Sequence, residues 1–356
     1  MAGRARTTIA DVAKAAGVSE TTVSHALNGK GRVDAATRAR VRQAAADLRY
    51  SPSRAARQLA TGSSGVLGLA LPAIARLPLR ELMDTDWYTY MAVTASQAAF
   101  DRGCALTLLP PSVEETKLRR LGLDGVLVLD PAPGDRRIDV FTELAIPVVA
   151  LGLDPEHPEV RTVAPDTRQG ITDLLDHLRD QGAHTIDILA TDIRWQSETI
   201  AIATAEDWAG TTACRIDVHT VELSRHTSRE GIVAATRRAA TRALEADPPP
   251  DAMIGLFEDF GLGILDAAHD LNLEVPRDLL VAQDFDGFKA RHARPALTAI
   301  DLHPDTQMPA AVDQLLSNST EPTITTPATV RIRQSTTRRT PDQSDADLVA
   351  VPRPGM

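Results

Sequence analysis

The chain has 356 residues, of which 43% are hydrophobic and 24% are charged, as expected for a soluble globular protein with more than one domain. No apolar run reaches the length of a membrane span, and the N-terminus lacks the apolar stretch of a signal peptide, which argues against membrane and exported proteins. The two cysteines, Cys104 and Cys214, are far apart and lack metal-ligand spacing, which favours buried thiols in a reducing cytoplasm.

The charge is divided unevenly along the chain. The net charge is −10, but residues 1–60 contain 11 Lys/Arg and 4 Asp/Glu, a net of +7. The remaining residues contain 27 basic and 44 acidic side chains, a net of −17. A small basic head on an acidic body suggests that only the head binds a polyanion. By charge alone, a solvated basic face is an equally good explanation.

Residues 1–50 predict a helix-turn-helix. Thr8 caps the first helix, with Asp11 in capping-box register, and Gly17 follows where a tight turn needs a positive φ. Ser19 caps a second helix that is polar on nearly every face. A helix that reads the major groove needs short polar side chains, because they must reach base edges and phosphates.

The second helix, over roughly 20–27, is anchored by Val23 and Leu27, and Asp34 begins a third helix over roughly 35–48 that packs behind it. A small helical bundle with one polar face is the alternative. The glycine turn, the caps and the basic bias together favour the helix-turn-helix. The outward side chains of the second helix are Glu20, Thr21, Ser24 and His25.

Residues 51–64 predict a linker. Ser53 can cap a helix of seven residues, but isolated helices shorter than about 12–15 residues are marginal in water. The segment is therefore expected to become helical only when a partner orders it. Ala56 and Leu59 share one face of this segment, with Arg57 beside them.

From residue 65 onward, short apolar runs alternate with helical patterns. Continuous apolar runs separated by helices predict doubly wound parallel sheets covered on both faces. The strand-like runs are 65–72, 104–110, 124–130, 147–151, 185–191, 215–221, 252–257 and 279–285.

Two such sheets predict an α/β body over 65–337 that is divided into two subdomains. We expect the chain to return to the first subdomain near residue 290. The expected subdomains are 65–163 with 291–325, and 164–290, with the place of 326–337 left open. The tail, 338–356, is polar and contains proline, and we expect it to be disordered.

The head and linker closely resemble the DNA-binding head and hinge of the LacI/GalR family of bacterial repressors. The resemblance runs without gaps through TTIADVAKAAGVSETTVSHALNGKGRVDAATRARVRQAAADLRYSPSRAARQLATG, residues 7–62. Its elements are I-A-D-V-A, A-G-V-S, T-T-V-S-H-A-L-N, T-R-x-R-V, L-x-Y-x-P and A-x-x-L-A. The body resembles the effector domain of the same family, which has the architecture of periplasmic binding proteins.

The resemblance implies how the head and hinge contact DNA. Glu20, Thr21 and His25 take the base-reading positions, and many members have arginine where this chain has His25. Leu59 matches the leucine that members insert into the minor groove at the operator's centre. The expected phosphate contacts are Thr8, Ser19, Thr22, Ser24 and Asn28, and the remaining hinge contacts are Ser53, Ala56 and Arg57.

The resemblance also implies a small-molecule site between the subdomains, beyond the carboxyl ends of the strands. Trp87 is equally well explained as a core residue, and the aspartates as helix caps. The candidate effector-binding residues are Trp87, Tyr88, Asp166, Arg194, Trp195, Asp284 and Asp286.

Three positions depart from the family pattern. Where sugar- and purine-binding members have an aspartate, an arginine and an aspartate, this chain has Gly152, Ile200 and Phe285. These changes remove much of the usual polar contact between such members and their ligands. We therefore expect an effector less polar than a sugar, or none.

Other function classes fit less well. An enzyme is the main rival, but the GLG at 261–263 lacks the rest of a dinucleotide motif, and no phosphate loop, HExxH or GxSxG is present. A transporter's solute-binding protein would need an export signal and would lack the basic head. Neither a cofactor nor a metal is expected, since the spacing of His157, His177, His184 and His219 does not suit metal binding.

The sequence therefore predicts a cytoplasmic, homodimeric transcriptional repressor with no membrane association. Its expected partners are double-stranded operator DNA and a small-molecule effector, and one head reads only a half-site. A regulator with a degenerate cleft that acts without ligand is the alternative.

The hinge prediction is tested by Leu59→Ala. Unstacking a base step costs a few kcal/mol, offset by apolar contact and a bent duplex. The variant should therefore lose far more affinity for operator than for random DNA in gel-shift titrations at fixed salt. Equal losses on the two DNAs would contradict the hinge model.

Overall fold

In a computed structural model, the chain forms a small helical head and an α/β body with two sheets, which confirms the predicted fold class. Among the residues that the structure describes, no helix is long and apolar enough to cross a membrane. The described residues are 7–28, 31–50, 62–72, 77–112, 114–223, 228–317, 319 and 321–338.

The head consists of helices packed on a small apolar core. The predicted capping box is confirmed, since Thr8 N donates to Asp11 Oδ2 at 2.8 Å and Asp11 N donates to Thr8 Oγ1 at 3.4 Å. Gly17 has a φ of 66°, as the turn requires. The prediction that Val23 and Leu27 anchor the second helix needs correction. Ala26 is fully buried beside Val23, whereas Leu27 is only partly buried. The helices of the head are Ile9–Ala16, Glu20–Asn28 and Ala35–Asp47.

The first sheet of the body is parallel throughout, and its described part has six strands. In spatial order they are Thr323–Thr326, Arg161–Pro165, Val148–Leu151, Gly125–Leu129, Val66–Ala70 and Ala105–Leu109. The helices that accompany this sheet are Leu79–Met83, Asp86–Asp101, Glu115–Leu121, Arg137–Glu143 and Pro304–Leu316.

The second sheet also has six strands in the described residues, and one edge strand, Thr329–Arg331, runs antiparallel. In spatial order the strands are Thr329–Arg331, Thr298–Asp301, Leu280–Gln283, Ala252–Gly255, Thr185–Thr191 and Arg215–Val221. The accompanying helices are Thr167–Asp180, Gln196–Thr211, Arg229–Leu244, Phe260–Asp270 and Phe288–His292, with a 3₁₀ turn at Gln334–Thr336.

The predicted return of the chain to the first subdomain at residue 291 needs correction. Thr298–Asp301 pairs with Leu280–Gln283 in the second sheet, and only the following helix, Pro304–Leu316, packs on the first. The chain then adds Thr323–Thr326 to the first sheet and Thr329–Arg331 to the second. A buried strand such as TAID has the same pattern in either sheet, because only its long-range partners differ. The body therefore consists of two lobes joined by three crossings.

Candidate nucleic-acid interface and ligand cleft

The second helix of the head presents the predicted base readers to solvent. Glu20, Thr21 and His25 are exposed, whereas Val23 and Ala26 on the opposite side are fully buried. Two small side chains therefore anchor a helix whose outer face is free to enter a groove.

Local hydrogen bonds position the hydroxyl groups expected to contact phosphates. Ser19 Oγ accepts from Thr22 N at 3.1 Å and lies 2.9 Å from Thr22 Oγ1. Asn28 Nδ2 donates to Ser24 Oγ at 3.3 Å, and Thr8 is exposed at the start of the first helix. Free amide groups at a helix start favour anions, so the start of the second helix, beside Ser19, suits a phosphate. Ser53, Ala56, Arg57 and Leu59 lie outside the described residues.

The imidazole of His25 lies close to Gly31, which follows its helix. Gly31 has a φ of 68°, and a Cβ built at Gly31 would lie 2.6 Å from His25 Nδ1. Glycine is therefore required there both by conformation and by space. Because Nδ1 faces the loop, Nε2 is the ring nitrogen available to a base edge.

A cavity of about 120 Å³ lies between the two lobes. Its walls are largely aromatic: Trp87 packs edge-to-face on Phe285 with ring centroids 5.0 Å apart, and Trp195 stacks on Phe257 at 6.1 Å. The residues lining it are Thr85, Trp87, Tyr88, Asp130, Pro131, Leu151, Gly152, Leu153, Pro165, Trp195, Gln196, Ser197, Glu198, Leu256, Phe257, Glu258, Asp284, Phe285, Leu302 and Gln307.

The structure brings four of the seven predicted effector residues to this cavity and leaves three outside its lining. Asp166 caps helix Thr167–Asp180 by accepting from Gln169 N at 3.1 Å, and Arg194 Nη2 donates to Thr220 Oγ1 at 2.8 Å. Buried Asp286 forms ion pairs with two arginines elsewhere. The arginines that pair with Asp286 are Arg333 at 2.8 Å and Arg291 at 3.4 Å. The four predicted residues that line the cavity are Trp87, Tyr88, Trp195 and Asp284.

Three acidic residues of the cavity were not predicted. Asp130 directly follows strand Gly125–Leu129, and Glu258 follows Ala252–Gly255 by three residues. The expectation that ligands bind beyond the carboxyl ends of strands could have found both. Glu198 lies in the first turn of a helix, and no sequence signal distinguishes it from an ordinary acidic residue near a helix start.

Asp130 and Glu198 hold parts of the cavity wall in place. Asp130 Oδ2 accepts from Trp87 Nε1 at 2.7 Å, and Asp130 also bonds the Tyr88 hydroxyl. Glu198 accepts from Thr191 N at 2.7 Å, Thr191 Oγ1 at 2.6 Å and Trp195 N at 3.2 Å. Burial raises the pKa of Asp130, and burial raises the pKa of Glu198 to about 7.

Glu258 crosses from the second lobe to the first. Its carboxylate accepts from Asp86 N and Trp87 N, each at 2.8 Å, at the start of helix Asp86–Asp101, and from Lys289 Nζ at 2.9 Å. Lys289 N in turn donates to Asp86 Oδ2 at 2.8 Å. Burial raises the pKa of Glu258, and the Lys289 charge opposes this rise.

Asp284 is the carboxyl of the cavity whose ionised form the surrounding protein stabilises least. Burial, followed by the nearby charge of Glu198, holds the pKa of Asp284 well above its usual range. No arginine or lysine is among the described residues that line the cavity. Within the same described ranges, no group of three or more His, Cys, Asp or Glu side chains is arranged to hold a metal ion.

Two family models match the chain. Residues 8–53 match "Bacterial regulatory proteins, lacI family", and residues 175–336 match "Periplasmic binding protein-like domain". The chain is also 30% identical over 286 residues to the HTH-type transcriptional regulator AglR of Rhizobium meliloti, a match that covers 77% of this chain and 76% of the relative.

Solved structures share the fold. A Lac repressor dimer bound to operator and the anti-inducer ONPF has a TM-score of 0.70 and 21% identity, covering 93% of this chain and 99% of that chain. A complex of the transcriptional regulator CelR with cellobiose has a TM-score of 0.66 and 22% identity, covering 93% of this chain and 100% of that chain.

Replacing His25 with arginine tests base reading. An imidazole meets a base edge with one nitrogen, whereas arginine offers a two-pronged donor suited to guanine, worth about 1–3 kcal/mol of discrimination. Selection from random DNA should show a changed base at one position of each half-site with unaltered spacing. Gln43→Arg adds the same charge to the exposed face of helix Ala35–Asp47 and should leave the consensus unaltered. An unchanged consensus for His25→Arg would rule out His25 as a reader.

The pKa of Glu198 predicts a pH-dependent stability. A carboxyl whose pKa is higher in the folded chain stabilises the fold at low pH, and this contribution is lost as the pH rises from 4.5, its ordinary value, through about 7. Relative to Glu198→Gln, the wild type should therefore lose on the order of 2–3 kcal/mol of unfolding free energy between pH 4.5 and pH 8.

Urea unfolding curves at both pH values measure this loss. Glu206→Gln changes an exposed residue of the same helix and should keep the wild-type pH profile. Parallel profiles for the wild type and Glu198→Gln would contradict the prediction.

Proposed function

Since the chain belongs to the LacI family of bacterial regulatory proteins, it is a DNA-binding transcriptional regulator, and we propose that it acts as a homodimeric repressor controlled by a small-molecule effector. The observation that carries the proposal is the aromatic and acidic cavity between two lobes, in a chain that also has an exposed reading helix on a basic head. The proposed place of action is the cytoplasm, where bacterial DNA lies.

An exposed apolar face supports the homodimer. Tyr90, Val93 and Phe100 share one face of helix Asp86–Asp101, and Phe100 is 75% exposed. The edge strand Ala105–Leu109 follows this helix and exposes one further leucine, Leu108. An exposed apolar surface of this kind suits a self-complementary contact with a second copy, and two copies are needed to read a two-part operator.

The proposed mechanism has two states of the body. Without effector, the lobes hold the paired hinges close enough to become helical on the operator. Effector binding in the cavity favours a different arrangement of the lobes, which separates the hinges and lowers operator affinity. The coupling is expected to be about 1–3 kcal/mol, the usual range for allostery.

The decisive test removes two cavity side chains, Trp87→Ala with Asp284→Ala. Neither residue belongs to the head, so operator binding in gel shifts should stay within a few-fold of wild type. In a reporter strain challenged with a panel of small molecules, the double variant should lose the response that the wild type shows, because an aromatic wall and the uncompensated carboxyl are gone.

The control is Glu206→Ala with Asp207→Ala, a pair of exposed residues on helix Gln196–Thr211 that should respond like the wild type. A full response by the cavity variant would place the effector site elsewhere. Failure of the wild type to bind any DNA selected from a random pool would overturn the repressor proposal itself.

A further inference from the structure

The carboxyls of the cavity differ in how far their hydrogen bonds are satisfied. Asp130 and Glu198 accept from the indole, hydroxyl and backbone groups of the cavity wall. Glu258 accepts two backbone amides and pairs with Lys289. In the part of the chain that the structure describes, no side chain donates a hydrogen bond to the Asp284 carboxylate or forms an ion pair with it. Asp284 is therefore the carboxylate left for a ligand.

Nearby cations do not supply the missing charge. Lys289 contacts Glu258, and Arg194 is bonded to Thr220. Arg137 bonds the backbone carbonyl of Asp130 at 3.3 Å and forms its ion pair with Asp135. Burial favours the neutral form of Asp284 while the cavity is empty, and a bound cation would favour the ionised form because it pairs with the carboxylate. A bound anion would find no lysine or arginine among the described residues that line the cavity.

The same satisfaction of hydrogen bonds disfavours a sugar. A ring with many hydroxyl groups needs several free acceptors and donors, and each hydroxyl buried without a partner costs about 1–3 kcal/mol. Asp130, Glu198 and Glu258 each already accept two or three hydrogen bonds within the protein, so fewer of their acceptor positions remain for such a ligand.

The aromatic walls suit a positively charged ring. Trp87, Trp195, Phe257 and Phe285 surround the space beside Asp284, and aromatic faces attract cations as well as stacking on rings. Trp195 is 93% buried, and its Nε1 has no hydrogen-bond partner among the described residues. This N–H is a donor available to an acceptor on the ligand.

In this arrangement of the lobes, the volume of the cavity suits a ligand of about one ring. The volume is about 120 Å³, and an engineered cavity of about 150 Å³ in another protein holds one benzene.

We propose that the effector is a small organic cation with a single ring, held by Asp284 as its counter-ion between the aromatic walls. This inference rests on the proposed function, because it names the chemical class of the effector for the same cavity.

Three probes of one shape and different charge test the proposal: benzamidinium, benzamide and benzoate. Titration calorimetry on the full-length wild type at pH 8 should show benzamidinium binding at least tenfold more tightly than benzamide, and no binding of benzoate. Glucose, which is neutral and rich in hydroxyl groups, should bind more weakly than benzamidinium.

The isosteric variant Asp284→Asn should lose at least tenfold in benzamidinium affinity and keep the wild-type affinity for benzamide. Asp207→Asn removes one carboxylate from an exposed position of the same lobe and should bind all probes as the wild type does. The thermal midpoint of Asp284→Asn should not fall, because asparagine keeps the shape of the side chain and because burial and Glu198 already favour the uncharged form of Asp284.

The proposal is overturned if benzamide or glucose binds as tightly as benzamidinium, if none of the ring probes binds, or if Asp284→Asn keeps its benzamidinium affinity. The wild-type probe series decides the question even if the variant does not fold. Gel shifts on the same protein with selected operator DNA report on the repressor function separately, so either proposal can fail while the other stands.

Discussion

The carboxylate of Glu258 is the contact on which the arrangement of the two lobes depends. It comes from the second lobe and accepts the first amides of helix Asp86–Asp101 in the first lobe. The start of a helix carries partial positive charge, so an acidic group there is stabilised by the helix dipole as well as by the two hydrogen bonds. Lys289 pairs with the carboxylate at 2.9 Å, and Arg229 lies 3.9 Å from it. A change in the relation of the lobes must therefore break or rearrange this buried contact.

The same contact sets the geometry of the cavity. Because the amide of Trp87 is bound by Glu258, its indole is directed across the cavity to Asp130 on one side and Phe285 on the other. The indole thus packs against both lobes. A ligand that displaces Trp87 would act on the contact between the lobes, and its effect on DNA is limited to the difference between its affinities for the two states.

Sequence patterns could predict the structural features that depend on residues close to each other in the chain. The apolar runs predicted strands of both sheets, and the pair Thr8 and Asp11 predicted the start of a helix. Both signals depend only on residues that are close in sequence. The roles of Asp284 and Asp286 could not be separated in this way. They are two residues apart at one strand end, yet Asp284 faces the cavity and Asp286 pairs with Arg333, 47 residues further along.

The place of strand Thr298–Asp301 in the second sheet and the role of Glu198 could not be predicted from the sequence either. Each depends on a tertiary partner that only the folded chain brings into place. The resemblance to a family predicted that a cleft lies between the subdomains. Which carboxyls of the cleft already accept hydrogen bonds from the protein can be seen only from distances in the folded structure.

The division of charge along the chain links the two binding events. Residues 1–60 carry a net of +7 and the rest −17, so phosphates attract the head and repel the body. This repulsion favours orientations in which only the head approaches the duplex. The net negative charge of the body also attracts small cations. One asymmetry of charge would thus serve both proposed partners, because DNA phosphates and a cationic effector are drawn to opposite parts of the chain.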